Sequence, residues 1–119
     1  MNKSKAKGTA AESAIVNYLK DVGTYAHRNT LAGSLDKGDI TIPLQPGNVI
    51  IEAKNEKKTT LSEYVDETNT EAANANALFG VAWHKRRGKL SPANWYVTMD
   101  GETFVKILNE LKKTHAVIS

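Results

Sequence analysis

Apolar positions recur along this chain with two different periods, and the changes of period mark out the elements. Ala11, Ile15, Tyr18, Leu19 and Val22 fall at helical spacing. They follow Thr9-Ala10-Ala11-Glu12, a capping-box pattern, so a helix is expected from Thr9 to about Asp21, stopped near Gly23. Thr24 to Asn29 reads as a first strand, and Thr30 to Lys37, containing Gly33-Ser34, as a loop. The period then shortens to two. Gly38-Asp39-Ile40-Thr41-Ile42-Pro43 and Val49-Ile50-Ile51-Glu52-Ala53-Lys54 are split by Leu44-Gln45-Pro46-Gly47, which predicts an antiparallel hairpin. With those four residues as the loop, Pro43 faces Asn48 and Asp39 falls opposite Glu52.

A helical stripe returns after the hairpin. Thr60-Leu61-Ser62-Glu63 is a second capping box, and Leu61, Tyr64, Val65, Thr68, Ala72, Ala75 and Phe79 carry the stripe to an end near Leu78. Phe79–His84 and Trp95–Met99 are expected strands, joined through the basic stretch Lys85-Arg86-Arg87-Gly88-Lys89. Asp100 is placed to cap a last helix bearing Phe104, Ile107, Leu108 and Leu111. The order α-β-β-β-α-β-β-α argues for an α/β protein, a mixed central sheet flanked by helices.

Length and composition narrow this reading. A chain of 119 residues suits a single domain over residues 1–119. Residues 1–8, polar and carrying Lys3, Lys5 and Lys7, read as a flexible basic arm. There are no cysteines, which excludes disulfides, thiolate metal sites and cysteine nucleophiles. No apolar run is long enough to span a membrane, and the N-terminus lacks the apolar stretch of a signal peptide. A cytoplasmic protein is therefore expected. The net charge of +3 points weakly to an anionic partner.

The candidate chemistry lies on the hairpin. Opposed residues in an antiparallel ladder have Cβ atoms roughly 4.5–5.5 Å apart, and like charges there are destabilising. Lys54 shares the Glu52 face, because side chains alternate along a strand. Two carboxylates and a lysine thus meet on one patch, where a hard cation would turn repulsion into binding. A solvated edge hairpin accounts for the same residues without chemistry. Glu12 is similarly divided: it completes a capping box, yet at i, i+3 and i+7 with Ile15 and Leu19 it shares the inward stripe.

Glu12 behind Gly8, Gly38-Asp39, and Glu52-Ala53-Lys54, on an αβββαβ frame, resemble the PD-(D/E)xK nuclease superfamily, and within it the archaeal-type Holliday-junction resolvases and their small phage-borne relatives. The resemblance runs from about Lys7 to Leu108 and departs from the pattern at Gly38, where a proline is usual. The polar residue often found on the following helix has no clear match, Glu71 and Asn74 being the candidates. The resemblance implies a restriction-endonuclease-like core with an added strand and C-terminal helix. It implies phosphodiester hydrolysis leaving a 5′-phosphate and a 3′-hydroxyl. Asp39, Glu52, the Ala53 carbonyl and Glu12 would hold Mg²⁺ or Mn²⁺, Lys54 would assist, and Ser34 resembles a loop serine that helps activity.

Basic residues are distributed as a phosphate-binding surface requires. Lys57 and Lys58 follow the hairpin, Lys85, Arg86, Arg87 and Lys89 form one loop, Lys5 and Lys7 precede the helix of Glu12, and Arg28 joins them if its strand ends near the site. Such contacts neutralise and position a backbone without reading sequence. The expected partner is branched DNA, a four-way junction met in DNA recombination. Its two-fold symmetry suits a homodimer. A phage-encoded copy would act in the host cytoplasm. A flap or fork nuclease with the same site, and a catalytically inactive nucleic-acid-binding module, are the other readings.

Overall fold

The computed structural model describes residues 3–30 and 33–118, with side chains described over 8–30 and 33–113. The elements follow the expected order: α1 (Lys3–Asp21), β1 (His27–Arg28), β2 (Ile40–Ile42), β3 (Val49–Lys54), α2 (Leu61–Asn74), β4 (Phe79–His84), a 3₁₀ turn at Pro92–Asn94, β5 (Tyr96–Thr98) and α3 (Gly101–Ile118). The five strands form one sheet in the order β1-β2-β3-β4-β5. β3 and β4 are parallel, joined through α2, and the other neighbours are antiparallel.

Alternation along β3 divides its side chains between the two faces of the sheet. Ile51 and Ala53 join Ile40, Val81 and Trp83 against Ala11, Ile15, Val16 and Leu19 of α1. Burial of this cluster is the main apolar contribution to stability. The opposite face carries Ile50 and Glu52 beneath α2, which buries Tyr64, Thr68, Glu71 and Ala72. Gly80 lets α2 come down close. A Cβ there would lie 2.6 Å from the Thr68 carbonyl oxygen and 3.2 Å from the Ala72 Cβ. Gly80→Ala is therefore expected to lift the helix and cost about 2 kcal/mol in urea unfolding. A loss below ~0.5 kcal/mol, the range of an ordinary surface change, would show that another contact sets this approach.

Four boundaries differ from expectation. α1 begins at Lys3, so Thr9 lies inside the helix and residues 3–8 are helical rather than a flexible arm. Lysine and alanine propagate a helix well, and a basic segment need not be unstructured. Val22 then falls beyond the helix end and is 59% exposed. Thr60 precedes α2 without a side-chain capping bond. α2 stops at Asn74 rather than Leu78, because Asn76 adopts a left-handed φ of 53°. The amides of Asn76 and Ala77 turn back to the carbonyls of Ala73 and Ala72 at 3.1 and 2.9 Å. This is a Schellman-type stop made by asparagine instead of glycine. β1 is shorter than Thr24–Asn29 and β5 shorter than Trp95–Met99. At α3 the expected cap is present, with the Thr103 amide donating to Asp100 Oδ1 at 2.8 Å.

Candidate metal centre and nucleic-acid interface

Strand directions gather the candidate residues at one end of the sheet. β1, β3 and β4 run one way, so their last residues, Arg28, Lys54 and His84, share an end with Ile40, the first residue of β2. Asp39 lies one residue before that strand. The pairs Ile42↔Val49, Thr41↔Ile50 and Ile40↔Ile51 carry the expected register forward to Asp39 beside Glu52. Asp39 brackets Glu52: its amide donates to the Ile51 carbonyl at 3.1 Å, and its Oδ2 accepts from the Ala53 amide at 2.9 Å. The carboxylate thus replaces one rung of the ladder at the point where the strands part.

Gly38 makes this geometry possible. Its φ of +90° lies in the left-handed region, and a Cβ there would meet Ile50 Cγ2 at 2.1 Å. Proline, with φ held near −65°, cannot adopt that backbone, which explains physically why the usual proline is absent. Asp36 Oδ1 accepts from the Gly38 amide at 2.9 Å, and Asn74 Nδ2 donates to the Asp36 carbonyl at 2.8 Å. The loop before Asp39 is thereby tied to the end of α2.

Two further carboxylates complete the centre: Glu71, one of the two candidates for the polar residue of the helix after the hairpin, and Asp36, which no sequence pattern singles out. One ligand oxygen from each of Asp36, Glu52 and Glu71 lies within 4.8 Å of the others. Glu71 is 2% exposed, and both of its carboxylate oxygens are buried with no N–H or hydroxyl donor, facing only the carboxyls of Glu52 and Asp36. Sequence offered a signal for Glu71: it stands at i+3 from Thr68 and i+7 from Tyr64, an acid on the inward stripe. Asp36, on an aperiodic loop, offered none.

Burial and mutual repulsion hold these acids protonated well above the usual carboxylate range. Burial, then the neighbouring Glu52, raises Asp39 to about 8. Burial also raises Glu52 to about 8; Asp39 opposes that rise by hydrogen bonding, and Glu71 adds to it. Burial raises Glu71 to about 7; hydrogen bonding with Glu52 opposes that rise, and Asp36 and the charge of Asp39 add to it. Metal-free, Asp39 and Glu52 keep protons at neutral pH.

Other predicted residues stand at different distances from this centre. Glu12 is close enough to Asp39 for burial and then that charge to raise its pKa. Its Oε1, however, is paired with Arg28 Nε at 3.2 Å, outside the carboxylate triad. Lys54 Nζ is 2.6 Å from Glu67 Oε2 and 5.4 Å from the Tyr64 ring centroid. Burial works against its charge, but Glu67 and the charges of Glu52 and Glu56 prevail and raise its pKa. Ser34 is exposed on its loop.

The basic residues leave from the same end. Lys57, Lys58, Lys85, Arg87 and Lys89 are exposed, and the Lys85 amide donates to the Lys54 carbonyl at 2.8 Å where both strands finish. Arg86 is half-buried, stacked 4.4 Å from the Tyr96 ring and bonded to the Asn94 carbonyl at 2.9 Å. The side chains of Lys5 and Lys7 lie outside the described residues. Among the described residues, no helix is long and apolar enough to cross a membrane.

A mixed five-stranded sheet with α1 on one face, α2 on the other and acids at the β2–β3 end is a restriction-endonuclease-like α/β fold. The particular likeness is to the crystal structure of Hjc, a Holliday junction resolvase from the archaeal hyperthermophile Archaeoglobus fulgidus. The two chains align with a TM-score of 0.56 and 22% identity, over 76% of this chain and 75% of that one. The resolvase-like resemblance seen in the motifs therefore holds for the fold. No protein-family model and no curated protein matches the chain.

Proposed function

We propose that this chain is a metal-dependent endonuclease for branched DNA, a Holliday-junction resolvase producing 5′-phosphate and 3′-hydroxyl ends. The observation that carries the reading is Asp39 bracketing Glu52 beneath α2, on a fold like that of Hjc. The donor set fits a hard divalent cation, since it consists of carboxylate oxygens held together against burial and mutual repulsion that the nearby Lys54 charge does not outweigh. Asp39, Glu52 and the Ala53 carbonyl would hold Mg²⁺ or Mn²⁺, with Glu12 joining after it releases Arg28. When bound, that ion supplies Lewis-acid activation of the attacking water and compensation of charge on the phosphate.

The chain's own residues provide the rest. Lys54 presents an ammonium beside the carboxylates, suited to the charge that develops on the phosphoryl oxygens. Its resting partner, Glu67, is 44% exposed, and exposed pairs contribute about 0–1 kcal/mol, so a phosphate can displace it. Lys54→Met is expected to lower single-turnover cleavage about 10²–10³-fold with junction affinity nearly unchanged. Glu67→Gln should leave the rate within a few-fold. Equal losses in both variants would make the ion pair structural and remove Lys54 from the chemistry.

Arg28, freed from Glu12, and Lys57, Lys58, Lys85, Arg86, Arg87 and Lys89 would neutralise the DNA arms, with Lys5 and Lys7 extending that surface along α1. Ser34, exposed on the loop before Asp39, would contact the backbone at the cut. Two symmetric incisions call for a homodimer. Phe104, Leu108 and Leu111, on one side of α3 and all exposed, supply apolar surface for it. The function is tested by offering labelled four-way junction, flap and linear duplex with Mg²⁺ or Mn²⁺. Paired symmetric nicks in the junction support the reading, preference for the flap changes its substrate, and no cleavage of any branched DNA refutes it.

A further inference from the structure

We infer that Glu71 and Asp36 bind a second divalent cation, which shares Glu52 with the ion held by Asp39. Two independent observations meet here. One is the grouping of the three carboxylates, with an oxygen from each inside a 4.8 Å set. The other is the condition of Glu71, 2% exposed, whose oxygens meet no N–H or hydroxyl donor and face only the neighbouring carboxyls of Glu52 and Asp36. Burying an unpaired carboxylate costs several kcal/mol, so such a group takes up either a proton or a cation. Among the described residues, no basic side chain pairs with Glu71.

The two positions are distinct because Glu52 is approached from two sides. Asp39 reaches it along the sheet from β2, with Oδ2 already engaged by the Ala53 amide. Glu71 descends from α2, whose close seat is set by Gly80. Asp36 is brought to Glu71 by the bond from Asn74, one helical turn further along the same helix. Its Oδ1 accepts from the Gly38 amide, which fixes the carboxylate on the loop. Three oxygen donors from a loop, a strand and a helix leave room for water and phosphate oxygens, the set that Mg²⁺ and Mn²⁺ prefer.

The nuclease reading gives this second ion its chemical use: two ions about 3.5–4 Å apart can stabilise both the attacking and leaving oxygens. The test reads binding rather than cleavage, so the two proposals can fail separately. The full-length metal-free chain is titrated with Mn²⁺ and followed by calorimetry and by electron paramagnetic resonance. Wild type is expected to take two ions per chain, with a spin-coupled signal at saturation. Glu71→Gln and Asp36→Asn should each lose one equivalent and the coupling while keeping the other ion. Asp39→Asn should lose the complementary equivalent. Both glutamine and asparagine preserve shape, and circular dichroism verifies folding before titration. A single ion in wild type, or two coupled ions retained in Glu71→Gln and Asp36→Asn, overturns the inference and leaves Glu71 as a protonated buried acid.

Discussion

Glu52→Gln is expected to abolish divalent-dependent junction cleavage, by about 10³-fold or more, while making the metal-free protein more resistant to heat at pH 9. The first effect follows from the centrality of Glu52, which interacts with Asp39 and Glu71 and has an oxygen within 4.8 Å of one from Asp36. A loss of 10³ in rate corresponds to about 4 kcal/mol of transition-state stabilisation, a magnitude consistent with loss of a metal ligand. The second effect follows from charge: above pH 8 the wild-type side chain is a buried anion among anions, whereas glutamine is neutral and can donate hydrogen bonds. A several-degree rise in melting temperature in EDTA, with cleavage lost, is the predicted pair of results. Retained cleavage would remove Glu52 from the chemistry, and a lower melting point would show that the acid is structurally satisfied.

The pH dependence of stability should be inverted relative to proteins whose carboxylates are salt-bridged. Unfolded carboxyls titrate near 4, whereas Asp39 and Glu52 are raised to about 8 and Glu71 to about 7 in the folded chain. Between about pH 4 and pH 8 the native state therefore holds protons that the unfolded state has released. Stability consequently falls as pH rises through that window and levels off above it. Saturating Mg²⁺ should reverse the trend, because the ion binds the deprotonated set and expels its protons. Melting scans from pH 5 to pH 9, with EDTA and with Mg²⁺, are expected to diverge as pH increases. Coincident curves, or EDTA curves that rise with pH, would show that these acids neither repel one another nor take up the metal.

Much of this arrangement was legible in the order of residues, because hairpin register is a local property. A Pro-Gly loop and two β-branched runs were enough to bring Asp39 beside Glu52, and the end of each strand followed from chain direction. What escaped were interactions across layers. Glu71 carried a trace, an acid on the buried stripe of α2, but its proximity to Asp36 depends on a loop held by Asn74. Gly38 looked like a tolerated replacement for proline; its positive φ and contact with Ile50 make it a requirement of this backbone. Thr9 looked like a cap because the pattern was right, yet Lys3–Gly8 extends the helix past it. The aromatics divide between core and surface, with Tyr64, Trp83 and Trp95 buried while Tyr96 and Phe104 are more than half exposed. Periodicity finds a face; it does not reveal whether anything covers it.

The margins of the sheet carry a final consequence. One edge strand is two residues long and the other three. Such short borders offer little free backbone for a neighbouring molecule to zip onto, a protection against runaway fibre growth. Any lasting union of two copies must consequently be made through side-chain packing rather than through a shared, continuous ladder.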